Sequence, residues 1–105
     1  TSELHYSPRA EHHNSFAITH GGAVMTLLDV VMASAAVSHV DFQKTVVTLN
    51  LDTCFIAPGR GPLTAQGEVV TCDDDVAWCQ AKVCDAQGHL VAKARGSFRY
   101  LPRPQ

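Results

Sequence analysis

Apolar residues recur at helical spacing between Gly21 and His39. One face of this segment carries Val24, Leu27, Leu28, Val31 and Ala35, a 3.6-residue period. The opposite face is nearly as apolar, which is typical of a helix that is buried on all sides. The pattern therefore predicts one long buried helix, about 27 Å in length at about 1.5 Å per residue.

Beyond Asp41 the period changes from helical to the two-residue alternation of β-strands. The predicted strands are a short one within residues 3–9, then Lys44–Ile56, Leu63–Cys72, Val76–Cys84 and Leu90–Tyr100. Turn signals separate them: Pro58–Pro62, Asp73–Asp75 and Asp85–Gly88. In the first long strand, the alternation puts Val47, Leu49, Leu51 and Phe55 on one side and Thr48, Asn50 and Asp52 on the other.

This order of elements predicts an α+β domain spanning residues 1–105, in which an antiparallel sheet of about five strands curls around one helix. The long strands follow one another directly, so we expect a meander. One helix cannot cover a whole sheet face, which favours a dimer. An exposed edge strand such as Leu63–Cys72 would then extend the sheet into a partner.

Composition excludes several classes of partner and site. Charged residues make up 17% of the chain, the net charge is −2, and no run of basic residues is present, so neither nucleic acid nor an anionic membrane is an expected partner. Cys79 and Cys84 lack zinc-ligand spacing, and we predict no metal. The four cysteines, in strand-like runs, are interpreted as buried thiols of a cytoplasmic protein. No signal peptide is recognised in the sequence.

Asp29 is the one charged residue among the nineteen from Gly21 to His39. A carboxylate in an apolar helix costs several kcal/mol unless something compensates it. His20-Gly21-Gly22, just before it, suits a helix N-terminus whose backbone N–H groups face a ligand. The acid and the helix start thus look like two halves of one active site.

The segment from Asn14 to Asp29, Asn-Ser-Phe-Ala-Ile-Thr-His-Gly-Gly-Ala-Val-Met-Thr-Leu-Leu-Asp, resembles the signature of the hotdog-fold acyl-CoA thioesterases. The branch it resembles is the phenylacetate-pathway (PaaI-like) type, which includes thioesterase superfamily member 2. The resemblance continues through residues 47–51, 55–58 and 88–92. Ala17 departs from the pattern, since many members have Gly there.

The resemblance implies a role for each catalytic position. Asp29 would be the nucleophile or the general base on water, and the N–H of Gly21 the oxyanion donor. Asn14 would hold the water or the substrate carbonyl, and His20 would shape the turn. Thr48 would orient water and reach the site across a dimer interface.

The same resemblance implies substrate contacts. Gly22 would contribute at the helix start, and the acyl pocket would lie between subunits, lined by Met25, Leu28 and Met32. Cations for the phosphates of coenzyme A would be Arg60, Lys93 and Arg95, although a solvated charged face accounts for them equally well.

The sequence therefore predicts a cytoplasmic acyl-CoA thioesterase that works as a homodimer or homotetramer, a dimer of dimers, without a metal or redox cofactor. Two other interpretations stay open. One is a hotdog dehydratase or hydratase, although the His-Phe-Pro-Gly type motif of those enzymes is missing here. The other is a module that binds acyl-CoA as a sensor without turning it over.

Overall fold

The computed structural model describes residues 2–6, 21–57 and 61–103. These residues form one helix and five strands. In chain order they are β1 (Ser2–Tyr6), α1 (Gly21–His39), β2 (Lys44–Phe55), β3 (Leu63–Cys72), β4 (Val76–Asp85) and β5 (Leu90–Pro102). The helix and the four long strands confirm the sequence pattern to within two residues. The first strand, predicted within residues 3–9, begins one residue earlier, at Ser2, and residues 7–9 lie outside the described part.

The five strands make one antiparallel sheet in the order β1-β3-β4-β5-β2. A meander is present only from β3 to β5, so the prediction of four strands in sequential order is wrong for β2. This strand pairs with β5 along its length, from Lys44 opposite Pro102 to Phe55 opposite Ala92. The edge strands are therefore β1 and β2, and Leu63–Cys72, predicted as an edge, lies between β1 and β4, with β1 paired to its first five residues.

α1 packs against one face of the sheet, which we call the inner face. The predicted helix face is buried, with Leu28 at 0% exposure and Val31 at 1%. The helix backbone approaches β3 closely, since a Cβ at Gly67 would lie 2.7 Å from the carbonyl oxygen of Val31. Near the other end of the helix, the buried Tyr100 hydroxyl donates to the carbonyl oxygen of Ala36 at 2.8 Å.

The opposite side of α1 is open in the single chain. Met25 is 41% exposed and Val30 is 44% exposed, so the prediction of a helix buried on all sides is wrong for one chain. By length and composition the segment Gly22–His39 could cross a membrane, as could the core helix of many soluble domains. Here its buried face belongs to the core cluster that joins the helix to the sheet.

A β-bulge in β2 changes which side chains share a face. Thr48 lies opposite Phe98 and Asn50 lies opposite Ser97, so that Leu49 has no partner of its own. Residues opposite each other in a sheet point to the same face, and Phe98 is 0% exposed in the core. Thr48 therefore points to the inner face.

The extra residue reverses the alternation beyond it. Leu51 and Phe55 lie opposite Gly96 and Ala92 and share the inner face with Thr48. Val47 lies opposite Arg99, on the other face. The regular alternation predicted for this strand is therefore wrong, because a bulge adds one residue to one strand of a pair.

The two later turns confirm their sequence signals at Asp73–Asp75 and Asp85–Gly88, whereas residues 58–60 of the first predicted turn lie outside the described part. In the β4–β5 hairpin, the Asp85 carboxylate accepts from the N–H groups of Gln87 and His89, and these bonds lower its pKa, the His89 N–H most strongly. The four cysteines are free, but only Cys79 is fully buried and Cys54 is exposed, which corrects the prediction of four buried thiols. Burial raises the pKa of the Cys79 thiol to about 11.

Candidate active site

Asp29 and Thr48 meet at the edge of the inner face. The Thr48 hydroxyl donates to Asp29 Oδ1 at 2.9 Å. Asp29 is half-buried on the flank of α1 that faces β2, and Thr48 is exposed. Thr48 points toward the helix because it lies opposite the buried Phe98. This bond supplies part of the compensation that a carboxylate in an apolar helix requires.

The Asp29–Thr48 bond forms within one chain, so Thr48 reaches Asp29 without a dimer interface. β2 follows α1 after a four-residue turn and runs back along the helix, so the two elements lie side by side. Within the residues that the structure describes, no hydrogen bond occupies Asp29 Oδ2. Thr48 thus holds one carboxylate oxygen, and the described residues leave the other without a hydrogen bond.

The helix start lies far from this pair. α1 begins at Gly21, and the backbone N–H groups of a first turn have no partner within the helix and carry a partial positive charge. Asp29 lies eight positions after Gly21, which corresponds to about 12 Å along the axis. The Asp side chain tilts toward the helix N-terminus but is too short to close this gap. One substrate carbonyl cannot contact both groups of the same chain.

Exposed apolar side chains concentrate around the Asp29–Thr48 pair. Seven of the nine large hydrophobic side chains that are exposed lie between residues 25 and 56, in α1, β2 and the segments that follow them. They are Met25, Val30, Phe42, Val47, Leu49, Phe55 and Ile56. Val47 points to the outer face, and the other six lie in α1, in β2 or next to them. A soluble chain rarely exposes so many large apolar side chains in one region unless something binds to them.

The predicted acyl-pocket residues do not share one environment. Leu28 and Met32 are both 0% exposed and belong to the core cluster, so in this chain they pack between helix and sheet and do not line an open wall. Met25 is the one of the three that reaches the surface. Gly22 is exposed in the first helical turn, where its carbonyl oxygen accepts from the Thr26 hydroxyl.

The predicted cations are not gathered around Asp29. Lys93 and Arg95 alternate with the buried Ala92 and Ala94 along β5, and therefore point to the outer face of the sheet, the side opposite α1. This is the polar face that the sequence assigned to them, and their contact with the phosphates of coenzyme A stays a prediction. Asn14, His20 and Arg60 lie outside the described residues.

The family model of the thioesterase superfamily matches residues 16–92. The chain belongs to the thioesterase superfamily. The antiparallel sheet with one helix is the hotdog fold of this superfamily, as predicted.

This thioesterase-superfamily member is similar to a curated relative in sequence and to a solved protein in structure. A "Putative esterase" of Saccharolobus solfataricus is 34% identical over 85 residues, which cover 80% of this chain and 60% of the relative. The chain thus spans about three fifths of the length of that relative. A crystal structure of a Bacillus halodurans protein with CoA has a TM-score of 0.88 at 28% identity, and the match covers 97% of this chain and 68% of the other.

The Escherichia coli PaaI protein shares the fold as well. Its TM-score is 0.85 at 23% identity, over 94% of this chain and 71% of that one. At this identity the likeness concerns the fold alone. In the described parts of this thioesterase-superfamily chain, no group of three or more His, Cys, Asp or Glu side chains could hold a metal ion.

Sequence reasoning missed two features of the site. One is the pairing of Thr48 with Asp29 of its own chain, on the inner face that the bulge makes Thr48 share with Leu51 and Phe55. The other is the open apolar surface of α1 and β2. The near-uniform apolarity of the helix signalled that surface, but it was interpreted as burial within the chain.

The different environments of Met32 and Met25 give a direct test. We expect Met32→Ala to destabilise the chain by about 2–5 kcal/mol, because it leaves a cavity in the core. Met25→Ala removes an exposed side chain and should change the unfolding free energy by less than about 0.5 kcal/mol in the single chain. Urea unfolding at low protein concentration measures both. Equal effects would contradict the assignment of Met32 to the core and Met25 to the surface.

Proposed function

We propose that this chain is an acyl-CoA thioesterase of the PaaI-like branch, which hydrolyses an acyl- or aryl-acyl-CoA to the free acid and coenzyme A. The observation that carries the proposal is the Asp29 carboxylate held by Thr48 at an open apolar edge. The superfamily and the esterase relatives support a thioester-hydrolase role, and the Bacillus halodurans relative was crystallised with CoA.

In the proposed reaction, Asp29 acts as nucleophile or as general base on water. As a base, Asp29 takes a proton from water while the oxygen attacks the thioester carbonyl carbon. The C–S bond then breaks, the acid is released and the proton returns to the coenzyme A sulfur. A donor where the oxyanion develops is commonly worth about 2.7–4 kcal/mol, and we assign this role to the N–H of Gly21. Asn14 would bind the water or the carbonyl, and His20 would shape the turn.

Because about 12 Å separate Gly21 and Asp29 along the helix, we infer that each active site is composite, that is, built from residues of two copies of the chain. A second copy would bring its helix start to the Asp29–Thr48 pair of the first, and the reverse would hold by two-fold symmetry. β2 is suited to this pairing, since it is a twelve-residue edge strand with unpaired backbone groups along one side. The exposed Met25, Leu49 and Phe55 would then be covered by the second copy or by the acyl group.

The first experiment measures coenzyme A release from short, medium, long and aryl-acetyl CoA esters. We expect hydrolysis of one class, and a loss of at least about 100-fold in kcat for Asp29→Asn, with an unchanged unfolding curve. Asp41→Asn is the matched control, because Asp41 is exposed just after the same helix at φ 54, a conformation that Asn tolerates. Undiminished turnover by Asp29→Asn would contradict the mechanism. Tight binding without turnover by the native chain would instead indicate a sensor module.

Thr48 gives a second, graded test. Thr48→Val keeps the shape but removes the hydroxyl that donates to Asp29, and we expect kcat to fall by about 10-fold or more, the order of one hydrogen bond to a charged group. Thr48→Ser keeps the donor and should retain most of the activity. KM should change little in both variants if Thr48 acts through Asp29. Equal kcat values for Thr48→Val and Thr48→Ser would show that the hydroxyl has no role.

Mixed dimers test the composite site. Gly21→Pro removes the N–H at the first helical position, where proline is well tolerated, and should be inactive, as should Asp29→Asn. In a composite site, a mixed dimer of the two variants contains one intact site, with Asp29 from one chain and Gly21 from the other. Unfolding and refolding an equal mixture should restore about a quarter of native activity by random pairing. If each chain holds its own complete site, the mixture stays inactive.

A further inference from the structure

An exposed thiol lies beside an exposed amine on the outer face of the sheet. Cys54 on β2 is directly opposite Lys93 on β5, and both side chains are exposed. The preceding pair, Thr53 opposite the buried Ala94, belongs to the inner face, so the alternation of side chains puts Cys54 and Lys93 on the outer one. The Cβ atoms of such a pair are about 4.5–5.5 Å apart, and the flexible four-carbon stem of a lysine spans that distance. The Lys93 amine can therefore reach the Cys54 sulfur.

The other three cysteines lack this arrangement. Cys79 is buried, and Cys72 is partly buried opposite an alanine. Cys84 shares the outer face with Cys54 but lies opposite a threonine and a leucine. Cys54 is thus the one cysteine of the chain that is both exposed and paired with a lysine, and the others provide internal comparisons.

Lys93 also lies opposite a second lysine, Lys82 on β4. Like charges in that relation destabilise a sheet. The acid on the neighbouring strand, Asp52, lies directly opposite Arg95, so the side chains directly opposite Lys93 are a thiol on one strand and an ammonium on the other. A reaction that converts the Lys93 ammonium into a neutral amide removes the repulsion with Lys82 and leaves Asp52 opposite Arg95.

The two side chains open into a groove over the same face, with a volume of about 1350 Å³. The residues around the thiol that line it are Cys54, Lys82, Leu90, Lys93 and Arg95. Small-molecule sites commonly occupy about 300–1,000 Å³, so the groove has room for a ligand of that size. Its cations attract an anionic ligand toward the thiol, whereas two of its acids, Glu3 and Glu68, lie farther away on β1 and β3.

We propose that Cys54 and Lys93 form a self-acylation site, which takes the acyl group of an acyl thioester and ends with that group as an amide on Lys93. The site rests on the proposed function for its class of donor, but neither of its steps uses Asp29. A thioester suits the site because a thiolate exchanges readily with it. The phosphates of an acyl-CoA add the negative charge that the cations of the groove attract.

The transfer takes two steps. In the first, the Cys54 thiolate attacks the thioester carbonyl carbon, the bond from that carbon to the coenzyme A sulfur breaks, and the released thiolate takes up the proton that Cys54 lost. In the second, the neutral amine of Lys93 attacks the new thioester, its C–S bond breaks, and the Cys54 sulfur recovers a proton. The sum converts an acyl thioester and the Lys93 ammonium into an amide, free coenzyme A and one proton, without an oxidant or reductant.

Cys54 makes the transfer to Lys93 intramolecular. Without Cys54, an amine meets the thioester only by collision from solution, and Lys93 then has no advantage over Lys82. With the acyl group on Cys54, carbonyl and amine are held side by side on one sheet, which raises their effective concentration. The amide product neutralises Lys93 and weakens the attraction of the groove for a second anionic donor. We therefore expect one acyl group per chain.

Peptide mass spectrometry after incubation with butyryl-CoA tests the proposal. The Asp29→Asn chain is used, so that the proposed hydrolysis does not consume the donor. We expect the butyryl amide on Lys93 to exceed that on Lys82 by at least about 10-fold, because only Lys93 gains from proximity. Cys54→Ser in the same background should lower Lys93 acylation to the level of Lys82. Cys84→Ser, which removes a thiol of the same face without a lysine opposite, should leave Lys93 acylation unchanged.

The thioester intermediate can be trapped in Lys93→Arg, which keeps the positive charge but offers no neutral amine. We expect this variant, again with Asp29→Asn, to hold butyryl on Cys54 in a form that hydroxylamine removes. The amide on Lys93 of the parent chain resists hydroxylamine. Unfolding curves that match the parent check that these changes at exposed positions leave the fold intact.

Three results would each overturn the proposal: no more butyryl on Lys93 than on Lys82, undiminished Lys93 acylation in Cys54→Ser, or an acyl-free Cys54 in Lys93→Arg. Coenzyme A release by chains with the native Asp29 separates this proposal from the proposed function. There, Cys54→Ser should hydrolyse acyl-CoA at the native rate, so a failure of self-acylation leaves hydrolysis intact. If the native chain hydrolyses nothing, the acyl group on Lys93 is still measured in the same samples.

Discussion

The close packing of α1 on the inner face is the contact on which the rest of this structure depends. The register places Gly67, Ala81 and Ala94 side by side across three strands, and these small residues let the helix backbone come near the sheet. At Gly67 even a methyl group would meet the Val31 carbonyl. Because the helix packs this close to the sheet, its flank lies beside β2, and Asp29 comes within hydrogen-bonding distance of Thr48.

One helix does not cover all the apolar surface of a five-strand sheet. The uncovered apolar side chains lie in α1 and β2, the elements that carry Asp29 and Thr48. Burial of apolar area stabilises a fold at about 25 cal/mol per Å², so the uncovered side chains of α1 and β2 represent stabilisation that one chain does not obtain. In the proposed dimer, the surface that stabilises the pair also brings the donor to the acid. The same few side chains of α1 and β2 then contribute to the stability of the dimer and to the assembly of the active site.

Local patterns predicted the elements well, because the period of the helix and of each strand is contained in neighbouring residues. Asp29 could be singled out because a charge in an apolar helix is costly in any context. The position of β2 at the far edge could not be predicted, since its pairing with β5 joins residues 37–58 positions apart and no local signal marks it. Leu28 and Met32 were assigned to a pocket by resemblance, and the structure puts their side chains in the core.

The faces of the strands were predicted only where the alternation is regular. On β5, Lys93 and Arg95 alternate with buried alanines, and the sequence already put them on a polar face. The sequence could not show that Asp29 lies on the opposite side of the sheet from these two residues. On β2 the alternation itself failed, because an extra residue at Leu49 leaves no mark that distinguishes it from any other apolar strand position.

That extra residue has a consequence for how other members of the superfamily should be aligned with this one. Thr48 and Phe55 share a face although seven positions separate them, whereas an unbroken strand puts residues on one face only at even separations. A relative whose strand lacks the bulge would carry the equivalent hydroxyl at an even separation from its aromatic residue. An alignment that counts positions without a gap would then match the hydroxyl to a side chain on the wrong side of the sheet. The parity of this interval, and not the identity of the residue at position 48, indicates which hydroxyl accompanies the acid.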